Sequence, residues 1–233
     1  MRSIGEDRFT EAEAQSESVL YTTLPEDSQW LYLILSCIVY FCLGRLDQGE
    51  RCMRTALTLT KFRDIEPSRG FILLFLSIVL SLKNEREDLP SYISEVIAVG
   101  EKYNYEYLSG HGNRLAAIDR YLSFQTEAAG ELLEQAAFFL QRIGNRALVS
   151  TCRLLQRFWS LRPGGPAPDL EEAQREIEVV RKAGPGMLIY ENGLSLFGAI
   201  AREAGDFPLA ERSLLSSIEL SREKKGWQIL CGS

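Results

Sequence analysis

The sequence has few of the side chains that carry most protein chemistry. Histidine occurs once among 233 residues, as His111, so four nitrogen and sulfur ligands for zinc cannot be assembled around it. Ser/His/Asp or Cys/His catalysis would depend on that residue alone, and no serine stands in a Gly-x-Ser-x-Gly turn. The sequence therefore predicts no enzyme, no metal and no cofactor, and we interpret His111 as a loop or helix-start residue.

Basic clusters and long apolar runs are also missing. No group of lysines and arginines exceeds the Lys224–Lys225 pair, and the net charge is −6. Direct contact with nucleic acid is therefore not expected. The runs from Trp30 to Leu43 and from Phe71 to Leu82 span 14 and 12 residues, whereas a membrane span needs about 20. Both runs predict buried helices, and no membrane association is expected.

Cysteine is sparse and occurs in an odd number. No secretory signal precedes the five cysteines, and most of them fall in apolar helical patterns. They are therefore interpreted as reduced thiols that fill a core, which favours a cytoplasmic protein. They are Cys37, Cys42, Cys52, Cys152 and Cys231.

Two segments 161 residues apart share one seven-position pattern, which predicts a helical hairpin. Small residues let two helices cross closely while larger ones fill the space between them. Gly44 and Gly205 would end the first helix of each hairpin in the left-handed conformation. An offset of 161 residues over four units gives about 40 residues per unit. The pattern is Leu194-x3-Gly198-x2-Ala201-x3-Gly205-x4-Ala210-x3-Leu214-x2-Ser217, and it recurs as Leu33-x3-Cys37-x2-Tyr40-x3-Gly44-x4-Gly49-x3-Met53-x2-Ala56.

The C-terminal copy, GLSLFGAIAREAGDFPLAERSLLSSIEL, resembles the tetratricopeptide repeat. The standard unit of that family has about 34 residues, so longer helices or inserted loops are implied here. The resemblance implies an all-α, right-handed superhelical solenoid of antiparallel helix pairs, with units of about 37–42 residues.

The whole chain, residues 1–233, is interpreted as one repeat domain. A half repeat at 1–27 precedes five hairpins, and the start of another helix follows at 226–233. The hairpins are expected at 28–64, 68–104, 107–144, 145–183 and 186–224. Both ends then fall inside a repeat without a polar terminal unit, which predicts a fragment of a longer protein. A complete chain whose last helix swaps onto a neighbour is the alternative.

Two further segments resemble the sensor arrays of MalT-like, LuxR-class bacterial transcriptional regulators. They are AREAGDF leading into AERSLL, residues 201–207 and 210–215, and the junction SREKKGW at 221–227. The resemblance implies an effector-sensing or oligomerising region of such a regulator. The sequence itself contains neither a Gly-x4-Gly-Lys-Ser/Thr loop nor a basic recognition helix. A stand-alone protein-interaction scaffold is the alternative.

In tetratricopeptide arrays the first helices line the concave wall, so the resemblance also implies a groove. Its N-terminal part would be apolar and its C-terminal part polar, and it would bind a protein, a peptide or a small effector. Burial of the apolar part within the chain itself, and a homo-oligomer, are options that the sequence leaves open. The apolar positions are Leu31, Ile34, Ile38, Phe41, Phe71, Leu74 and Ile78; the polar wall is Asn192, Ser195, Ala199 and Arg202.

Overall fold

A computed structural model describes residues 24–42, 44–60, 66–161, 168–183 and 188–223. Within these ranges the chain forms ten α-helices and no strand, which confirms the expected all-α class. The helices are α1 (Glu26–Cys42), α2 (Leu46–Thr60), α3 (Glu66–Lys83), α4 (Leu89–Lys102), α5 (Glu106–Leu122), α6 (Thr126–Arg142), α7 (Arg146–Ser160), α8 (Leu170–Lys182), α9 (Leu188–Glu203) and α10 (Phe207–Glu223). None of these helices combines the length and the apolar character needed to cross a membrane.

The odd-numbered helices begin at regular intervals. α1, α3, α5 and α7 start at Glu26, Glu66, Glu106 and Arg146, 40 residues apart, and α9 starts at Leu188. The hairpin starts expected from the sequence were 28, 68, 107, 145 and 186. The expected half repeat and the expected additional helix lie outside the described residues, apart from the start of α1.

Six of the turns that the structure describes between helices share one backbone geometry. At Phe124 the backbone N–H donates to the Tyr121 carbonyl (2.9 Å), and the next N–H, of Gln125, donates to the Arg120 carbonyl (2.9 Å). This is the Schellman motif, in which the residue after the helix adopts a left-handed conformation. Five other turns repeat both hydrogen bonds. The left-handed residues are Gly44 (φ 70°), Asn84 (57°), Asn104 (54°), Phe124 (60°), Gly144 (74°) and Gly205 (83°).

The left-handed conformation expected at Gly44 and Gly205 is therefore confirmed. The second and third hairpins, which have no glycine at this position, use Asn84 and Phe124 instead. Asparagine tolerates the left-handed region because its short side chain bonds locally, but phenylalanine has no such compensation.

Contacts divide the described chain into two compact units. Of the described residues, the first unit holds α1 to α4, the beginning of α5 as far as Leu108, and the last two residues of α10. The second unit runs from Ser109 to Ser221. In the first unit each helix packs on the next, and the first helices of neighbouring hairpins, α1 and α3, also touch. At the crossing of α1 and α2, a Cβ at Gly49 would lie 3.4 Å from Cys37 Sγ.

A charged network ties α2 to the end of α3 in the first unit. The Lys83 ammonium lies 2.9 Å from Asp47 Oδ1, 2.5 Å from Glu50 Oε2 and 2.8 Å from Glu85 Oε1. Hydrogen bonds to Glu50, Glu85 and Asp47 raise the pKa of Lys83. Burial alone would raise the pKa of Glu50, but hydrogen bonds from Lys83 and Arg54 outweigh it and lower that pKa. The network therefore links two neighbouring hairpins.

In the second unit the last hairpin packs as the sequence pattern predicted. A Cβ at Gly198 would lie 2.7 Å from Leu214 Cγ and 3.3 Å from the Ala210 carbonyl oxygen. Ser217 Oγ donates to the Glu191 carbonyl at 2.9 Å. Because 191 contacts 217 while 198 contacts 210, α9 and α10 run antiparallel.

The core of the second unit is a pair of apolar clusters. One joins α5, α6 and α7, and the other joins α7, α8 and α9. Tyr121 of α5 stacks on Trp159 of α7 with ring centroids 4.3 Å apart. The first cluster comprises Ala117, Leu133, Ala136, Leu140, Leu148, Val149 and Cys152; the second comprises Leu154, Ala173, Ile177, Val180, Leu194, Phe197 and Ile200.

Candidate functional site

The first helices of the first unit carry apolar side chains that are open to solvent. On α1, Leu31 and Leu35 are 47% and 55% exposed, and Ile38 is half-buried. Positions i, i+4 and i+7 share one side of a helix. On α3 the residues 40 positions later follow the same spacing and are half-buried. We name this surface the apolar face; it consists of Leu31, Leu35, Ile38, Phe71, Phe75 and Ile78.

The helices α1 and α3 contact each other, and the two stripes occupy equivalent positions 40 residues apart. The other sides of α3 are in the core, where Ile72, Leu73, Leu74 and Leu76 are fully buried. Only the remaining side of α3 can face a partner. The sequence makes that surface apolar.

Tyrosines border the apolar face at Phe71. The Phe71 ring meets the Tyr107 ring in a stack with centroids 5.9 Å apart, and it meets the Tyr105 ring edge-on at 6.2 Å. Tyr103 stacks on Tyr105 at 6.3 Å, with the Lys102 ammonium 5.2 Å from the Tyr103 centroid. Tyrosine joins a large apolar ring to a hydrogen-bonding hydroxyl, a combination enriched in protein interfaces.

Two residues expected in the groove lie in the core instead. Ile34 is 6% exposed and Leu74 is fully buried, so neither is open to a ligand. The open stripe follows the spacing 31, 35, 38, one residue away from the expected line through 34. Leu31, Ile38, Phe71 and Ile78 do lie on the apolar face, and Phe41 is half-buried.

The expected polar wall on α9 makes contacts inside its own hairpin. Ser195 Oγ lies 2.8 Å from Ser217 Oγ, so its hydroxyl faces α10. The exposed Arg202 guanidinium binds the adjacent Glu203 carboxylate at 2.7 Å. Asn192 and Ala199 are half-buried. The structure therefore assigns Ser195 a packing contact rather than a place in a groove.

His111 lies inside a helix, not in the loop or helix-start position expected from Ser-Gly-His-Gly-Asn. It is the sixth residue of α5 and is 7% exposed. Gly110, which precedes it, belongs to helix packing rather than to a turn, since a Cβ there would lie 2.9 Å from Leu140 Cγ. The expected position of His111 was wrong because glycine is common both in turns and where two helices pack closely.

His111 and Cys152 are both held in their neutral forms. Burial and, to a smaller extent, the charge of Arg114 lower the pKa of His111 to about 3. Burial raises the pKa of the Cys152 thiol to about 11 against the opposing effect of Arg114. At neutral pH the imidazole is therefore uncharged and the thiol is protonated, which leaves Cys152 a poor nucleophile.

Among the described residues, Cys37, Cys52 and Cys152 are not joined in disulfide bonds. Cys37 and Cys152 are buried, and Cys52 is half-buried. In the part of the chain that the structure describes, no three His, Cys, Asp or Glu side chains are grouped so that they could hold a metal ion.

Comparison with known proteins identifies no family: no family model matches the chain, and no curated protein matches it significantly. The function must therefore be argued from the surface that the helices present.

Proposed function

We propose that this chain is a non-catalytic, protein-binding repeat module whose binding surface is the apolar face. In this proposal the helix pairs form a right-handed superhelix of the tetratricopeptide type. The module acts in the cytoplasm as the effector-sensing or oligomerising region of a bacterial transcriptional regulator of the MalT-like class. The observation that carries the binding role is the exposure of Leu31 and Leu35 beside the half-buried row on α3.

The exposed leucines leave free energy unused in the isolated chain. Fully burying a leucine side chain contributes about 1.5 to 3 kcal/mol, so two leucines at half exposure forgo about 2 kcal/mol. A partner that covers them recovers this free energy. Contiguous apolar surface with a polar rim is typical of interaction sites, and the tyrosines beside Phe71 supply such a rim.

The geometry favours a helical segment of a protein partner. Rows of apolar side chains on helices accept an amphipathic helix, whose own apolar residues recur at i, i+3, i+4 and i+7. Tyr103 and Tyr105, 37% and 42% exposed, are placed to meet polar groups at the edge of such a segment.

The test is binding of a fluorescently labelled amphipathic peptide with leucines at helical spacing, followed by anisotropy. Leu35→Glu places a charge on the apolar face and should weaken binding at least about tenfold, because the carboxylate would be buried without a partner. Leu215→Glu on α10 is the matched control, because Leu215 is 50% exposed but lies outside the face. Failure of the wild type to bind, or equal loss in both variants, would contradict the proposal.

The regulator and a stand-alone scaffold differ in what surrounds this module. A regulator requires a nucleotide-binding switch domain and a DNA-binding domain elsewhere in the same gene product. Reading the complete gene product decides between them: a switch domain upstream supports the regulator, and a gene product without either domain supports the scaffold.

A further inference from the structure

Phe124 is an unusual residue for its position in the third hairpin. It follows α5 with a φ of 60°, and its side chain is 94% exposed. Leu122, two residues earlier, is 50% exposed. The corresponding turn positions in three other hairpins hold Gly44, Asn84 and Gly205, so turn formation does not require an aromatic side chain there.

The turn fixes the backbone conformation of Phe124. Its backbone is fixed by the two hydrogen bonds of the Schellman motif. Side chains brace it further: Ser123 Oγ donates to the Asp119 carbonyl at 2.9 Å, and Arg120 Nη1 donates to Gln125 Oε1 at 2.9 Å. A protruding aromatic side chain on a fixed backbone leaves only its own torsions to be ordered on binding, which suits it as an anchor.

We propose that Phe124, with Leu122, docks on the apolar face of a second copy of this chain. The inference rests on the proposed function, because the receiving surface is the same face, and it specifies a partner that can occupy that face. One chain carries both halves of the contact: a projecting aromatic ring in the second unit and a receiving row of leucines in the first.

The chemistry of both surfaces fits a contact between copies. The tip from Leu122 to Gln125 has no charged side chain, and neither does the apolar face, so the net charge of −6 is not concentrated where the copies meet. No basic cluster accompanies the tip to favour an anionic lipid surface. Each copy offers one Phe124 tip and one apolar face, so every such contact pairs the tip of one copy with the face of another.

Sedimentation velocity over a wide range of concentration tests this contact. The wild type should form dimers or larger species, and both Phe124→Gly and Leu35→Glu should remain monomeric. Phe207→Ser is the matched control, since Phe207 is also an exposed phenylalanine, 67%, at the start of a second helix. This control should associate like the wild type.

Mixing the two monomeric variants gives the sharpest result. Phe124→Gly retains the face and Leu35→Glu retains the projecting ring, so a mixture should form one-to-one dimers and nothing larger. A wild type that stays monomeric, a Phe124→Gly variant that still associates, or a mixture without dimers would overturn the proposal. A contact between two Phe124 tips would appear as association of Leu35→Glu alone, which also contradicts it.

The proposed function can fail or succeed separately. Phe124→Gly should bind the amphipathic peptide as the wild type does, because its apolar face is intact. Peptide binding without self-association would leave the function standing and remove only the contact between copies.

Discussion

At the scale of single residues, neighbouring positions in a turn follow different rules. Ser123 keeps a negative φ, whereas Phe124 is left-handed. The backbone hydrogen bonds fix this difference whatever side chain is present. Asn104 and Gly144 occupy the same conformation between hairpins. The effect of a substitution at such a position therefore depends first on the backbone conformation and second on the contacts of the side chain.

Replacing Phe124 with glycine should stabilise the monomer. A left-handed residue with a Cβ costs about 1 to 2 kcal/mol, and glycine removes most of that cost while adding some freedom to the unfolded chain. We expect the free energy of unfolding to rise by about 1 kcal/mol in urea denaturation at low protein concentration. Ser123→Gly, one residue earlier, should give no gain, and a stabilisation of equal size there would argue against the strain at Phe124.

Buried His111 should make stability depend on pH. Its folded pKa, about 3, lies below its ordinary value of 6.5, so the unfolded chain binds the proton first as the pH falls. The stabilisation is complete above pH 6.5 and is lost as the pH falls from there toward 3, at up to about 1.4 kcal/mol per pH unit. We expect about 2 kcal/mol of loss between pH 7 and pH 5.

Because the chain has one histidine, His111→Gln is a clean control for this slope. The variant should lose most of the pH dependence between 7 and 5 even where its overall stability is lower. Identical slopes in the two proteins would show that His111 is protonated in the folded state.

At the scale of helices and hairpins, close crossings organise the fold. The matched pattern predicted small residues where α9 crosses α10, and the structure places Gly198 against Leu214 and Ala210 there. Helical class and the left-handed glycines could be predicted because they depend on local periodicity and on the absence of a Cβ. The left-handed turns at Asn84 and Phe124 could not be predicted, because asparagine adopts this conformation less often than glycine and phenylalanine adopts it rarely.

The side of each helix that stays open was also beyond sequence reasoning. α1 and α3 are apolar around most of their circumference, so periodicity cannot distinguish Ile34 from Leu35. Only the packing of α1 against its neighbours buries the first, at 6% exposure, and leaves the second at 55%. Of the residues expected in the groove, Ile34 and Leu74 are therefore buried, whereas Leu31 is exposed.

Ala210→Leu tests the crossing of α9 and α10. Ala210 is 4% exposed, and its carbonyl lies against Gly198, so three added carbons have no free space. Overpacking of this kind costs about 1 to 3 kcal/mol, and the melting temperature should fall accordingly. Glu211→Leu adds a similar side chain at an exposed position and should change the melting temperature little. An unchanged melting temperature for Ala210→Leu would show that the helices do not cross there.

At the scale of the whole molecule, the proposed binding surface depends on a difference between the two faces of the first helices. One face holds fully buried side chains such as Leu73 and Leu76. The other, the apolar face, is also apolar, but Leu31 and Leu35 are exposed there and the row on α3 is half-buried. Both the proposed partner binding and the contact between copies require that folding does not depend on burial of Leu35.

Thermal unfolding of Leu35→Glu and of Leu33→Glu, monitored by circular dichroism, tests directly whether folding depends on burial of Leu35. Leu33 and Leu35 lie two residues apart on α1 but are 5% and 55% exposed. A charge at Leu33 would be buried without a partner, which is strongly destabilising, whereas a charge at Leu35 reaches water. We expect Leu35→Glu to keep the wild-type helicity and to melt within a few degrees of the wild type. Leu33→Glu should unfold or melt far lower. Loss of helicity in Leu35→Glu would contradict this expectation.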